Sequence, residues 1–140
     1  MLNDYSLDYC EREEVLTGKP SKAKFIFILK NGKRVAQIKY ELVGRNLKVW
    51  NRTVGEGIED RRKQNEAFAK HPPNKDARTL GTELLFQARL HEKHTIGPET
   101  PHRTASSKTS IARTKQKYGI NWNNPWPKGM KTIIQRRGRR

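Results

Sequence analysis

Apolar residues are scarce in this chain, at 33% of the sequence with aromatics at 8%. No apolar run is longer than residues 25–29, far short of the ~20 that cross a bilayer, so a spanning helix is excluded and no membrane partner is expected. Cysteine is reduced to Cys10 alone, which cannot close an intramolecular disulfide and suits a reducing interior. No histidine or basic pair stands beside it to activate the thiol. No secretory leader is expected either, because Asp4, Asp8, Glu11, Glu13 and Glu14 occupy the places of its basic and apolar regions.

The most informative absence is acid in residues 100–140. Thirty Lys and Arg against fourteen Asp and Glu give the 140 residues a net charge of +16. Residues 1–16 carry −4, residues 17–99 carry +9, and residues 100–140 carry +11 with no acid at all. A like-charge block of this kind serves as an interaction arm more often than as core, and its partner must be anionic. The length bounds the rest to one domain plus, at most, a tail.

Residues 25–29 are β-branched or aromatic on both faces, as in a strand covered on two sides. Asn31-Gly32 then offers the positive φ values of a type I′ hairpin turn. Ala36, Ile38, Tyr40 and Leu42 alternate with polar residues in a second strand, and residues 47–50 form a third that pairs antiparallel with it. Residues 55–75 form a charged insertion, read as a helix over 58–69 and interrupted by Pro72-Pro73. Asp76 is the expected N-cap of the next helix, whose apolar stripe is Ala77, Leu80, Gly81, Leu84, Leu85 and Ala88. A last helix is expected from residue 104 or 105 to 117, closed by Gly119. The fold class is α/β in the broad sense (α+β), a mostly antiparallel sheet flanked by helices. Residues 1–120 form the domain, with residues 1–22 as an acidic segment, and residues 121–140 form an extended basic C-terminal arm.

This order of elements, with Leu80-Gly81-Thr82-Glu83-Leu84-Leu85 opening a helix and Gln116-Lys117-Tyr118-Gly119-Ile120 ending one, resembles the GNAT N-acetyltransferase superfamily over residues 23–120. The resemblance implies acetyl-CoA bound through a Gln/Arg-x-x-Gly-x-Gly/Ala loop at a helix start, with backbone N–H groups on the pyrophosphate. Aligning Gly81 on the second glycine puts Asp76 and Thr79 at the first two motif positions. The shifted alignment makes Arg78 the first position and leaves Glu83 where a small residue belongs. The resemblance therefore implies Arg78, Gly81 and Thr82 as cofactor-binding residues only if acetyl-CoA is bound. The family's general-acid tyrosine falls on Lys115, and Tyr118 lies three residues late, so no catalytic residue carries over. Pro101-His102-Arg103-Thr104 is similar to degenerate domains of this kind encoded by tailed bacteriophages, which implies a virion-associated, non-enzymatic protein.

His91 and His94 are spaced i, i+3, not the i, i+4 of a His-Glu-x-x-His zinc site, and with His71 and His102 they are read as solvated or phosphate-facing; no metal is expected. The acids of residues 4–14 lack calcium-loop spacing and are expected to pair with basic surface of this protein or a neighbour. The candidate nucleic-acid contacts are Arg103, Lys108, Arg113, Lys115, Lys117, Lys128, Lys131, Arg136, Arg137, Arg139 and Arg140. Trp122 and Trp126 either stack on unpaired bases or clamp an extended tail to the domain. The expected function is a basic, non-enzymatic nucleic-acid-binding component of a nucleoprotein assembly such as a phage particle, working inside a cell or virion with other proteins and without cofactor. An acetyl-CoA-dependent N-acetyltransferase is the alternative, and a ribosome- or RNA-bound structural protein a further one.

Overall fold

The computed structural model describes residues 4–16, 18–72, 74, 78–96, 103–104 and 132–135. Four long strands, β1 (Tyr5–Leu16), β2 (Lys19–Lys30), β3 (Lys33–Val43) and β4 (Asn46–Val54), form an antiparallel meander. A two-residue β5 (Arg103–Thr104) lies parallel beside β4, pairing with Lys48 and Val49. The helices are α1 (Ile58–Ala69), α2 (Leu80–His91) and the single turn α3 (Lys93–Ile96). The fold is α+β, an antiparallel sheet with helices.

β2 is the two-sided strand that its sequence implies. Ile26 and Ile28 face a core shared with Ile38, Tyr40, Leu47, Val49, Phe68 of α1 and Leu80, Leu84, Leu85 and Ala88 of α2. Both long helices therefore cover the same face of the sheet. On the opposite face Phe25 and Phe27 cluster with Leu16 and Ala23, flanked by Leu29 and Trp50. Cationic side chains lie over these rings: Arg34 is 3.8 Å from the centroid of Phe27, Arg12 4.7 Å from Phe25 and Lys48 4.2 Å from Trp50. Each such contact contributes about 0.5–1 kcal/mol where solvent reaches it.

The β2–β3 turn takes the left-handed conformation at both central residues, with φ of 52° at Asn31 and 83° at Gly32, as the hairpin signal requires. β4 continues past Trp50 because a bulge absorbs that residue: Lys39 pairs with Asn51 and Tyr40 with Val49. Side chains alternate along a strand, so one extra residue reverses the faces beyond it. Leu47 and Val49 point to the helices before the bulge, and Arg52 takes that side after it. Without the bulge Arg52 would be on the far face from α2.

β1 is a full strand where the sequence suggests only an acidic segment. Its residues pair along their whole length with β2, with Glu11 opposite Lys24 and Glu13 opposite Lys22. The expected internal pairing of these acids is found: Glu11 lies 3.5 Å from Lys22 and 3.7 Å from Lys24, and Glu14 lies 2.7 Å from Lys39. Opposite charges across a ladder make a strand out of residues of poor strand propensity.

The helix expected over 58–69 is α1. Its one buried side chain is Phe68, which meets Tyr5 edge-on at 5.1 Å. The start of α2 differs from expectation. Thr79, not Asp76, is the N-cap, its Oγ1 accepting from the Thr82 N–H at 3.2 Å. Ahead of that cap Asn74 is tied to the backbone: its Nδ2 donates to the Phe68 and Arg78 carbonyls while its Oδ1 accepts from the Arg78 N–H. Asp76 and Ala77 lie outside the described residues. Arg103 and Thr104 likewise form an edge strand, not the approach to a helix; the rest of the expected last helix lies outside the described residues. No helix among the described residues is long and apolar enough to cross a membrane.

Candidate functional site

An anion held at the start of α2 needs free backbone N–H groups there. Two of those donors are turned to the chain's own oxygens. The Leu80 N–H donates to Asn65 Oδ1 at 3.0 Å, and the Thr82 N–H to Thr79 Oγ1. Gly81 faces Arg52, whose Nη1 donates to the Gly81 carbonyl at 3.2 Å. The three atoms nearest a Cβ at residue 81 all belong to the Arg52 side chain, at 3.6–3.8 Å, an ordinary contact distance. Burial lowers the Arg52 guanidinium to about 10. Arg78 points inward, its Nη1 2.7 Å from Glu83 Oε1 and its guanidinium 4.5 Å from the Phe86 ring centroid. The three residues implied for a cofactor are thus close in the fold, and their described polar contacts are internal.

The same helix does bind something, namely the chain's own residues 132–135. Glu83 is fully buried in the first half of α2. One of its oxygens, Oε2, accepts from the Ile133 and Ile134 N–H groups at 2.8 and 2.9 Å and from Gln87 Nε2 at 2.8 Å. Gln87 Nε2 also donates to the Ile134 carbonyl at 2.8 Å. Ile133 and Ile134 join the main core at 8% and 2% exposure. Burial pushes the Glu83 carboxyl above its ordinary value, and the Ile134 N–H, Gln87 and Arg78 pull it back. Sequence reasoning misses this seat, although two adjacent β-branched apolar residues within a cationic stretch are its signal.

No family model, curated protein or solved structure matches the chain.

At the far end of α2, Glu92 accepts from Tyr40 Oη at 2.7 Å and from Lys24 Nζ at 3.1 Å. The His91 ring packs on Tyr9 at 4.1 Å, and Tyr9 Oη donates to Glu11. The two histidines expected on one helix are on separate helices, because α2 closes at Glu92 and His94 belongs to α3. His71 packs edge-on against Tyr5. No group of three or more metal-ligating side chains occurs among the described residues, and Cys10 is exposed. A cavity of about 330 Å³ lies where β3 and β4 meet α1, between Lys33 and Arg34 on one side and Glu56 and Asp60 on the other. Asp60 is occupied there by the Glu56 N–H and Gln64.

Of the expected nucleic-acid contacts, Arg103 is placed on the sheet edge beside Lys48. Lys108, Arg113, Lys115, Lys117, Trp122, Trp126, Lys128, Lys131, Arg136, Arg137, Arg139 and Arg140 lie outside the described residues. The anchored residues 132–135 stand between Lys131 and the terminal arginines in the sequence.

Proposed function

We propose that the chain is a non-enzymatic nucleic-acid-binding protein of a nucleoprotein assembly such as a phage particle, with a degenerate GNAT-like core and a basic C-terminal arm. The observation that carries this reading is the +11 charge of residues 100–140, gathered without a single acid. Lysine and arginine in such a run gain affinity by releasing counterions from phosphates, so binding is strongly salt-dependent and largely indifferent to sequence. The internal bonding at the start of α2 supports the non-enzymatic half, since a diphosphate would have to displace Asn65 and Thr79 from two of its donors.

The test is binding of a labelled DNA duplex and an RNA hairpin at several salt concentrations, with Arg136, Arg137, Arg139 and Arg140 replaced together by Gln. The log–log salt slope is expected to become shallower by about 0.9 for each phosphate of the duplex that the variant no longer neutralises. An unchanged affinity and slope would remove the arm from the binding surface.

The acetyltransferase reading keeps one observation in its favour: Gly81 lies in the first turn of α2, and the atoms nearest a Cβ built there belong to the flexible side chain of Arg52, at 3.6–3.8 Å. A thermal shift with acetyl-CoA that Gly81→Trp abolishes would favour it. No shift at millimolar cofactor would leave the arm as the functional part.

A further inference from the structure

We propose that the cavity where β3 and β4 meet α1 is a site for an unpaired nucleobase, stacked on the Arg34 guanidinium, from which a single strand runs across the sheet face opposite the helices. This rests on the nucleic-acid reading above and gives it a contact surface within the domain. Arg34 reaches that face because of a bulge in β3. Ile28 pairs with Ala36 and Leu29 with Arg34, so Val35 is the extra residue. In unbroken register Arg34 would share the side of Ala36, which faces the helices. Instead its guanidinium lies 3.8 Å from the centroid of Phe27 and lines the cavity as well. Bases stack on guanidinium planes as they do on aromatic rings, and Phe27 backs this one.

The volume of about 330 Å³ is at the lower end of the range for ligand cavities, which suits one nucleotide. Gln37, Thr53 and Gln64 offer neutral donors and acceptors to the edge of a base inside it. Lys33 and Arg34 stand on the phosphate side and Glu56 opposite them. Asp60 is engaged by the Glu56 N–H and Gln64, whereas the exposed Glu56 carboxylate has no partner among the described residues. A carboxylate accepts from an exocyclic amino group and is repelled by a carbonyl oxygen, so this wall favours cytosine N4 over thymine O4. On the sheet face the nearby acids are also engaged: Glu14 pairs with Arg12 and Lys39, and Glu41 accepts from Ser21 Oγ at 2.6 Å and Trp50 Nε1 at 2.9 Å. Arg34 and Lys48 have no carboxylate partner among the described residues. Lys48, over Trp50, is opposite Glu41, seven residues along β3 from Arg34 and so roughly 23 Å away, a span of several nucleotides.

The experiment measures fluorescence anisotropy of labelled 15-nucleotide oligo-dC and oligo-dT on the full chain, at neutral pH and several salt concentrations. Unlabelled cytidine monophosphate serves as a competitor and a DNA duplex as the comparison. The variants are Arg34→Met, Arg34→Lys, Glu56→Gln and Lys48→Met, none of them in the core, and circular dichroism checks the fold. Oligo-dC is expected to bind about fivefold more tightly than oligo-dT, and Glu56→Gln to remove that preference. Arg34→Met should weaken oligo-dC binding about tenfold. Arg34→Lys keeps the charge and loses the plane, and should weaken it about fivefold at an unchanged salt slope. Lys48→Met should make the slope shallower by about 0.7. Cytidine monophosphate should compete more weakly than unlabelled oligo-dC. Equal binding of the two oligonucleotides, or a preference that survives Glu56→Gln, overturns the base in the cavity. Wild-type affinity in Arg34→Lys overturns the stack, and a wild-type slope in Lys48→Met overturns the path across the face. Competition by the mononucleotide as strong as by oligo-dC overturns the strand in favour of a free nucleotide. A chain that binds the duplex while Arg34→Met leaves oligo-dC binding unchanged loses this site and keeps the nucleic-acid reading; a wild type that binds neither loses both.

Discussion

Two ionic regions of this molecule use the same chemistry to different effect. Along the β1–β2 edge, Glu11 and Glu14 meet Lys22, Lys24, Lys39 and Arg12 in pairs that water reaches. Beneath α2, Glu83 meets Arg78 where both are almost wholly buried. Exposed pairs contribute about 0–1 kcal/mol each, because screening and side-chain entropy offset the attraction. The buried pair gains little over an apolar pair of the same shape, yet removal of one partner strands the other charge. The edge therefore sets which strands pair, and the buried centre sets whether the helices, the loop before α2 and residues 132–135 stay in one arrangement.

The sharpest way to break this comparison is Glu83→Ala. It leaves Arg78 without its carboxylate and two amides without their acceptor, and is expected to cost about 3–5 kcal/mol in a denaturant melt. A loss below about 1 kcal/mol would place Glu83 among the surface pairs. Replacing both partners, Arg78→Met with Glu83→Leu, should recover most of the charge penalty. A deficit of about 1–3 kcal/mol should persist, because the Ile133 and Ile134 N–H groups still lack an acceptor. Full recovery would mean that these amides find another partner. The smallest effect belongs to the edge, where Lys22→Met should change stability by less than about 0.5 kcal/mol.

The edge is more visible in its pH response. The Tyr9 hydroxyl bond, then Lys24 and Lys22, hold the Glu11 carboxyl below its ordinary value, and Lys39 and Arg12 do the same for Glu14. A carboxyl depressed on folding adds stability that is present above its unfolded value, near 4.5, and is lost as pH falls through the folded one. Melting temperature is expected to fall more steeply below about pH 4.5 in the wild type than in a Glu11→Gln, Glu14→Gln double variant. Parallel curves would show that the edge contributes nothing.

Much of this architecture is legible because each element carries a local signal. Residues 25–29 and the Asn31-Gly32 turn announce β2, its hairpin and β3, and α1 spans the stretch read from its charge pattern. β1 escapes because its acids find meaning only opposite the lysines of β2, a relation set by register and not by local sequence. The start of α2 moves to Thr79, whose hydroxyl caps it, with Asn74 bonded to backbone groups of Phe68 and Arg78 ahead of it. The seat of Ile133 and Ile134 escapes for a similar reason: its acceptor, Glu83, is 50 positions before Ile133, in a helix stripe that otherwise reads as apolar.

The anchoring of residues 132–135 also decides where a probe can be put. A dye attached at Arg140 stays within about 17 Å of the seat on α2 while Ile133 and Ile134 remain seated. One attached near Asp4 sits at the hairpin tip, where the Asn31 N–H donates to the Asp4 carbonyl. Energy transfer between these two labels would follow unseating in real time, one molecule at a time.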